Sequence, residues 1–170
     1  MNDTDTTQDA FNSAMLAFAD MRYDESIALF TQAIEKDPQN KLAMVSRGAA
    51  YLKQDHLDQA RADFDRAVTL DPDYARAYHM RGLVAEKRGD DRAALADFDR
   101  AIDLNPEYGA AYYSRATLHA KLSHGDAAQE DMEMVVHFNR RNVESYMNES
   151  SVWRTEHMRV EDAMETELER

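Results

Sequence analysis

The three prolines of the chain, Pro38, Pro72 and Pro106, are separated by two intervals of 34 residues. A spacing this regular marks a tandem repeat, and a repeat fixes the architecture before any local reading is made. Rows of 34 starting at Thr7 align DESIALFTQAIEKDP (24–38), DQARADFDRAVTLDP (58–72) and RAALADFDRAIDLNP (92–106). A fourth row, DAAQEDMEMVVHFNR (126–140), is looser and carries Arg140 in the proline column. Phe30, Phe64 and Phe98 share a column that Met132 completes, and Ser26, Ala60, Ala94 and Ala128 form a column of small residues. The first half of each row repeats as well, as Ser46-Arg47-Gly48, Met80-Arg81-Gly82 and Ser114-Arg115-Ala116.

Each row holds two helical patterns. Ala94, Leu95, Phe98, Ala101 and Ile102 follow the 3, 4 spacing of one helix face, as do Ala77, Met80, Leu83 and Val84 in the half before it. Between them Arg88-Gly89-Asp90 reads as a turn, with Gly suited to positive φ and Asp to capping the next helix. Proline pushes the preceding residue out of the α region, so Asp37, Asp71 and Asn105 mark where each second helix stops. The unit is a helix–turn–helix.

These rows resemble tetratricopeptide repeats. The matching residues are the small one in the first helix (Ala14, Gly48, Gly82, Ala116), the Ser or Ala opening the second helix, its aromatic, the following Ala33, Ala67 or Ala101, and the closing proline. The resemblance covers 7–142 as four units (7–40, 41–74, 75–108 and 109–142), preceded by a flexible acidic arm at 1–6. It implies an all-α, right-handed superhelical solenoid of antiparallel helix pairs with one concave face. Small residues at the crossing let two helices approach, and the phenylalanine fills the wedge beside them. The stretch 143–170 has a net charge of -5. It reads as a capping helix (143–156) and a degenerate fifth unit, with Trp153 packing on the fourth; the sharper alternative is an acidic tail lying across the groove.

Composition narrows the function. The chain has no cysteine, which removes disulfides, thiol nucleophiles and thiolate metal sites. Its net charge of -13 argues against a nucleic-acid or anionic-membrane surface. The polar opening MNDTDTTQD is not a signal peptide, and no apolar run reaches the ~18 residues of a membrane span. A cytoplasmic protein without membrane insertion is the expectation. Phosphate loops, GxSxG and HExxH are all missing, and the histidines lack ligand spacing, so they are expected on the surface or in turns. No catalysis, cofactor or metal is expected.

The repeated Asp-x-Asp at 63/65 and 97/99 is not a metal motif, because residues two apart on a helix point to different faces. Arg47, Arg81 and Arg115 instead recur 16 residues before Asp63, Asp97 and Asp131, which predicts an Arg–Asp ladder within units or between neighbours. Lys53, Lys87 and Lys121 form a column near the end of each first helix. Either they interact with the helix C-terminus, or they form a basic strip along one edge of the groove.

The resemblance implies that first helices line the concave face and hold partner peptides. Row by row this nominates Phe11, Met15 and Phe18, then Leu42, Val45, Ala49, Leu52 and Lys53. The third row adds Arg76, His79, Met80, Leu83, Glu86 and Lys87, and the fourth Tyr113, Thr117 and Lys121. Phe11, Met15 and Phe18 have a second reading, as core of the first unit. Family members that hold heat-shock chaperone tails use a Lys/Asn clamp. The corresponding positions here are Phe11, Met15, Ser46 and Met80, which disfavours that ligand. The expected ligand is an apolar extended or helical segment of another protein. The leading role is a non-enzymatic adaptor or assembly scaffold. A dedicated chaperone for a secreted or membrane-destined client, and a self-associating scaffold, stand as alternatives.

Overall fold

In the computed structural model residues 3–141 are described, with side chains from Asp9 onward. Among them all regular structure is helical: α1 (Asp3–Ala19), α2 (Tyr23–Lys36), α3 (Lys41–Lys53), α4 (Leu57–Leu70), α5 (Ala75–Lys87), α6 (Asp91–Leu104) and α7 (Gly109–Lys121). An eighth helix, α8, covers 125–141. No described helix is long and apolar enough to cross a membrane.

Sequence punctuation sets most of these bounds. Asp37, Asp71 and Asn105 close α2, α4 and α6 in extended conformation, with φ of -129°, -142° and -140°. Each also folds its side chain over the following proline. Asp37 Oδ1 accepts from Gln39 N, Asp71 Oδ1 from Asp73 N and Asn105 Oδ1 from Glu107 N, each at 3.1 Å. This is the Asx turn that Asp and Asn make so readily. Inside each hairpin the chain turns through a residue of positive φ, again every 34 positions: Met21 (59°), Asp55 (60°), Gly89 (78°) and Ser123 (63°). Only one of the four is glycine. Asp90 then caps α6 by accepting from Ala93 N.

Two boundaries depart from the 34-residue register. Helix α1 starts at Asp3, ahead of Thr7, so 3–6 is helical where a flexible arm was expected. No proline or glycine between Asp3 and Ala19 interrupts it. At the other end α8 runs through Arg140 and Arg141, past position 138, where the equivalents Lys36, Leu70 and Leu104 end their helices. With arginine in place of proline, nothing forces the backbone out of the helix. The capping helix and fifth unit expected at 143–170, and Trp153, lie outside the described residues.

Packing follows the columns. Phe30, Phe64 and Phe98 are fully buried, as are Ala33, Ala67 and Ala101 one turn later. Gly48 and Gly82 face the phenylalanine rings so closely that an added Cβ would stand 2.6 Å from Phe64 Cε1 or Phe98 Cε1. In the fourth pair Ala116 replaces the glycine, and Met132, 39% exposed, replaces the ring. From α1 to α7 each helix packs on the next in sequence, and first helices also touch one another, α1 with α3, α3 with α5 and α5 with α7. The chain is an all-α solenoid whose inner layer is α1, α3, α5 and α7.

The Arg–Asp ladder is present, within pairs and between them. Arg47 grips Asp63 through Nε and Nη2 (2.8 and 2.7 Å), Arg81 grips Asp97 (2.9 and 2.7 Å) and Arg115 grips Asp131 (2.9 and 2.6 Å). Their third nitrogen reaches back to the preceding hairpin: Nη1 of Arg81 donates to Asp65 (2.9 Å), Nη1 of Arg115 to Asp99 (2.6 Å), and Nη1 of Arg47 to Thr31 Oγ1 (3.0 Å). The two aspartates of Asp-x-Asp thus serve different neighbours. Donating to the Asp97 and Asp131 carboxylates pushes the pKa of the Arg81 and Arg115 guanidinium groups above its already high value.

Candidate partner-binding groove

The inner layer surrounds a cavity of about 740 Å³ that crosses all four first helices. Its apolar lining is Phe18 from α1, Ala49 and Leu52 from α3, and Met80 and Leu83 from α5. Lys53, Arg76, Lys87 and Lys121 supply positive charge, and Glu86 is the one acid. Nine residues nominated from the sequence for binding, Glu86 aside, therefore meet at one place.

They converge because of where they stand on their helices. Ala49, Leu52 and Lys53 lie three and four apart, as do Arg76, Met80, Leu83 and Lys87, so each set occupies one stripe of its helix. Phe18 is held edge-on against Tyr23 with ring centroids 5.6 Å apart. Glu86 is half-buried, and desolvation pushes its carboxyl above the usual range, opposed by Lys121 and reinforced by Asp91.

Other nominated residues are elsewhere. Val45 is fully buried in the core cluster that α1 to α5 build together, which Met80 also packs against, so it offers a ligand nothing. His79 is buried too, contrary to the surface position expected of the histidines. Its Nδ1 lies 3.2 Å from Tyr108 Oη and its Nε2 lies 2.9 Å from Ser114 Oγ. Burial, and then the charge of Arg76, lower its pKa to about 4. Sequence reasoning missed this trio because its members come from α5, the α6–α7 turn and α7. Phe11 packs on Phe30 at 5.6 Å and joins the core of the first pair. Met15, Leu42 and Tyr113 are exposed, at 42%, 40% and 53%, but do not line the cavity. Thr117 is outside it as well and donates to Ser114 O.

The lysine column joins turns to helices. Lys87 pairs with Asp55, and Lys121 pairs with Asp91 at 2.7 Å. Both aspartates belong to the preceding hairpin, so these contacts bridge hairpins; Arg88 does the same with Asp58. The position that would serve Lys53 in the manner of Asp55 is Met21, which carries no charge.

Two family models, each described as Tetratricopeptide repeat, match residues 11–75 and 75–108, together more than half of the chain. The chain belongs to the tetratricopeptide repeat family. No curated protein sequence matches it. Solved structures that do include MamA, at 19% identity over 81% of this chain and 81% of that one, with a TM-score of 0.71. TTC0263, a thermophilic tetratricopeptide protein of Thermus thermophilus, is 21% identical over 78% of this chain and 74% of its own, also with a TM-score of 0.71. These two show the fold alone. The first tetratricopeptide domain of Spaghetti (RPAP3), solved bound to the HSP90 peptide SRMEEVD, is 25% identical over 69% of this chain and 93% of its own, with a TM-score of 0.65. With such neighbours, the tetratricopeptide stack here is a protein-interaction module.

Proposed function

We propose that this tetratricopeptide protein is a non-enzymatic adaptor or assembly scaffold that takes a segment of a partner protein into the cavity of its inner layer. The observation that carries the reading is the cavity itself. It is large enough for several side chains, it draws on four helices, and five of its ten lining residues are apolar: Phe18, Ala49, Leu52, Met80 and Leu83. Concave, mostly apolar sites with a few placed polar groups are where ligands bind. The Spaghetti domain, which holds a peptide, supports a peptide-like occupant. Met80 and Phe18 suit an apolar side chain of variable shape.

The test is site-directed photocrosslinking in cells. A benzoylphenylalanine is placed at Leu52 in the cavity and, separately, at Gln59 on α4, away from it. The expected result is a discrete crosslinked protein from Leu52 alone, joined through a segment containing apolar residues. Equal capture from both positions would remove the groove from the argument. Substitutions at Val45 are unsuitable as probes, because they would disturb the core rather than the site.

A further inference from the structure

The four turns inside the hairpins share one backbone design. Arg22, His56, Asp90 and His124 each donate their N–H to the carbonyl five residues back, on Ala17, Tyr51, Ala85 and His119, at 2.9 or 3.0 Å. The residue of positive φ stands just before each donor. A helix that ends through such a left-handed residue commonly brings the side chains at the two ends of the closure into contact. In the second hairpin Tyr51 and His56 meet this way, with ring centroids 6.1 Å apart. In the fourth, both positions are histidine. The rings of His119 and His124 stand 5.5 Å apart, and their Nδ1 atoms face each other at 3.2 Å. On a straight helix residues five apart lie about 140° apart around the axis, so the spacing alone carries no ligand signal. Ser123, at φ of 63°, folds the second ring back to the first.

We infer that His119 and His124 form a binding site for a divalent first-row transition ion such as zinc, which fastens the end of α7 to the start of α8. Two nitrogens 3.2 Å apart, each about 2.1 Å from one ion, subtend about 100° at it, between octahedral and tetrahedral angles. Imidazole suits zinc, copper and nickel, whereas magnesium and calcium prefer oxygen. One ring now donates its Nδ1–H to the other. On binding, that proton passes through solvent to Nε2 of the same ring, and both Nδ1 lone pairs turn to the ion. His124 is exposed and His119 half-buried, and neither lines the inner cavity, so an ion reaches them from solvent. Among the described residues no cluster of three or more His, Asp or Glu surrounds the pair, which leaves the remaining positions of the ion to water. The backbone closure holds the two rings in place beforehand, which lowers the ordering cost of binding. The clamp also falls where packing is weakest, in the hairpin that has Met132, 39% exposed, in place of a buried phenylalanine.

Isothermal titration calorimetry of the full chain with zinc chloride tests it, with magnesium and calcium chloride as controls. Zinc should bind at one ion per chain, and the two hard ions should give no heat of binding. His119→Ala and His124→Ala should each weaken zinc by roughly tenfold or more, with unchanged circular dichroism. His56→Ala, whose histidine faces a tyrosine, should bind zinc as wild type does. Zinc at about ten times its Kd should raise the wild-type melting midpoint by roughly 3–6 °C and leave that of His119→Ala where it was. In nitrogen-15 spectra of the histidine rings, zinc should shift the Nδ1 signals of His119 and His124 together. Tyr51→His copies the pair into the second hairpin and should raise the stoichiometry to two; a folded Tyr51→His that takes only one ion would refute the turn as the source of the site. If His119→Ala binds zinc as tightly as wild type, the ion is held elsewhere on the chain and the site is overturned. If wild type takes up no zinc, the two histidines are a ring contact only, as Tyr51 and His56 are, and the site is overturned as well.

Discussion

Asp97→Ala isolates the energetics of the ladder. The Asp97 carboxylate accepts from Nε and Nη2 of Arg81 at 2.9 and 2.7 Å, and its side chain is 12% exposed. Breaking a buried pair by removing one partner costs about 3–5 kcal/mol, because the surviving charge is left desolvated. Two features reduce that here. Arg81 is 26% exposed and keeps Asp65 at 2.9 Å, and a cavity of about 280 Å³ beside the pair admits water. The expected loss is therefore about 2–3 kcal/mol, toward the low end of the range. For a chain of this size each kcal/mol moves the melting temperature by about 2–4 °C, so the midpoint should fall by roughly 5–10 °C. Asp65→Ala is the matched comparison: it faces the same guanidinium but is 45% exposed, so it should cost under about 1 kcal/mol. Thermal unfolding followed by circular dichroism in the helical band reads both. If Asp97→Ala melts within about 2 °C of wild type, or no lower than Asp65→Ala, the buried ladder does not hold the hairpins together as argued.

Three further outcomes follow from named geometry. Gly82→Ala should destabilise by about 1–2 kcal/mol in urea titrations, since its Cβ would strike Phe98, and adding Phe98→Met should make the alanine less disruptive, as the Ala116–Met132 pair implies. Additive effects would refute the contact. Ser123→Gly should raise stability by about 1 kcal/mol, because Ser123 holds φ of 63° where glycine has no Cβ to clash; an unchanged midpoint would reject that strain. His79 has a folded pKa of about 4 against 6.5 for the free group, so between those values the unfolded chain binds more protons. Its contribution is intact above pH 6.5 and is lost as the pH falls toward 4. Wild type should lose about 2 kcal/mol more than His79→Gln between about pH 7.5 and 5, measured by urea unfolding. Parallel pH profiles would show that His79 is not a buried neutral base.

The repeat was readable because it is written in residues that act locally. Proline stops a helix wherever it stands, and Asp37, Asp71 and Asn105 add turns that need only their own backbone. The ladder was readable because a constant offset of 16 repeats three times over. The lining of the cavity was legible in part: Leu52, Met80 and Leu83 reach it, whereas Val45, on the same stripe of α3 as Ala49 and Leu52, is closed into the core. Helical spacing names a stripe but not the depth at which a neighbour covers it. The ladder was expected within units or between neighbours; that it runs both ways at once, with Thr31, Asp65 and Asp99 each meeting the arginine of the following hairpin, only the stacking shows.

By itself, then, the sequence determined the helix pairs, their antiparallel order and the small-against-aromatic crossings, all of which depend on residues close along the chain or at one fixed interval. The tertiary structure decided which polar groups are buried, as with His79 between Tyr108 and Ser114, and which cations gather at one cavity in an acidic protein. Those are properties of stacking. Burial and electrostatic potential depend on what three or four helices place in the same volume, and no single 34-residue row contains that information.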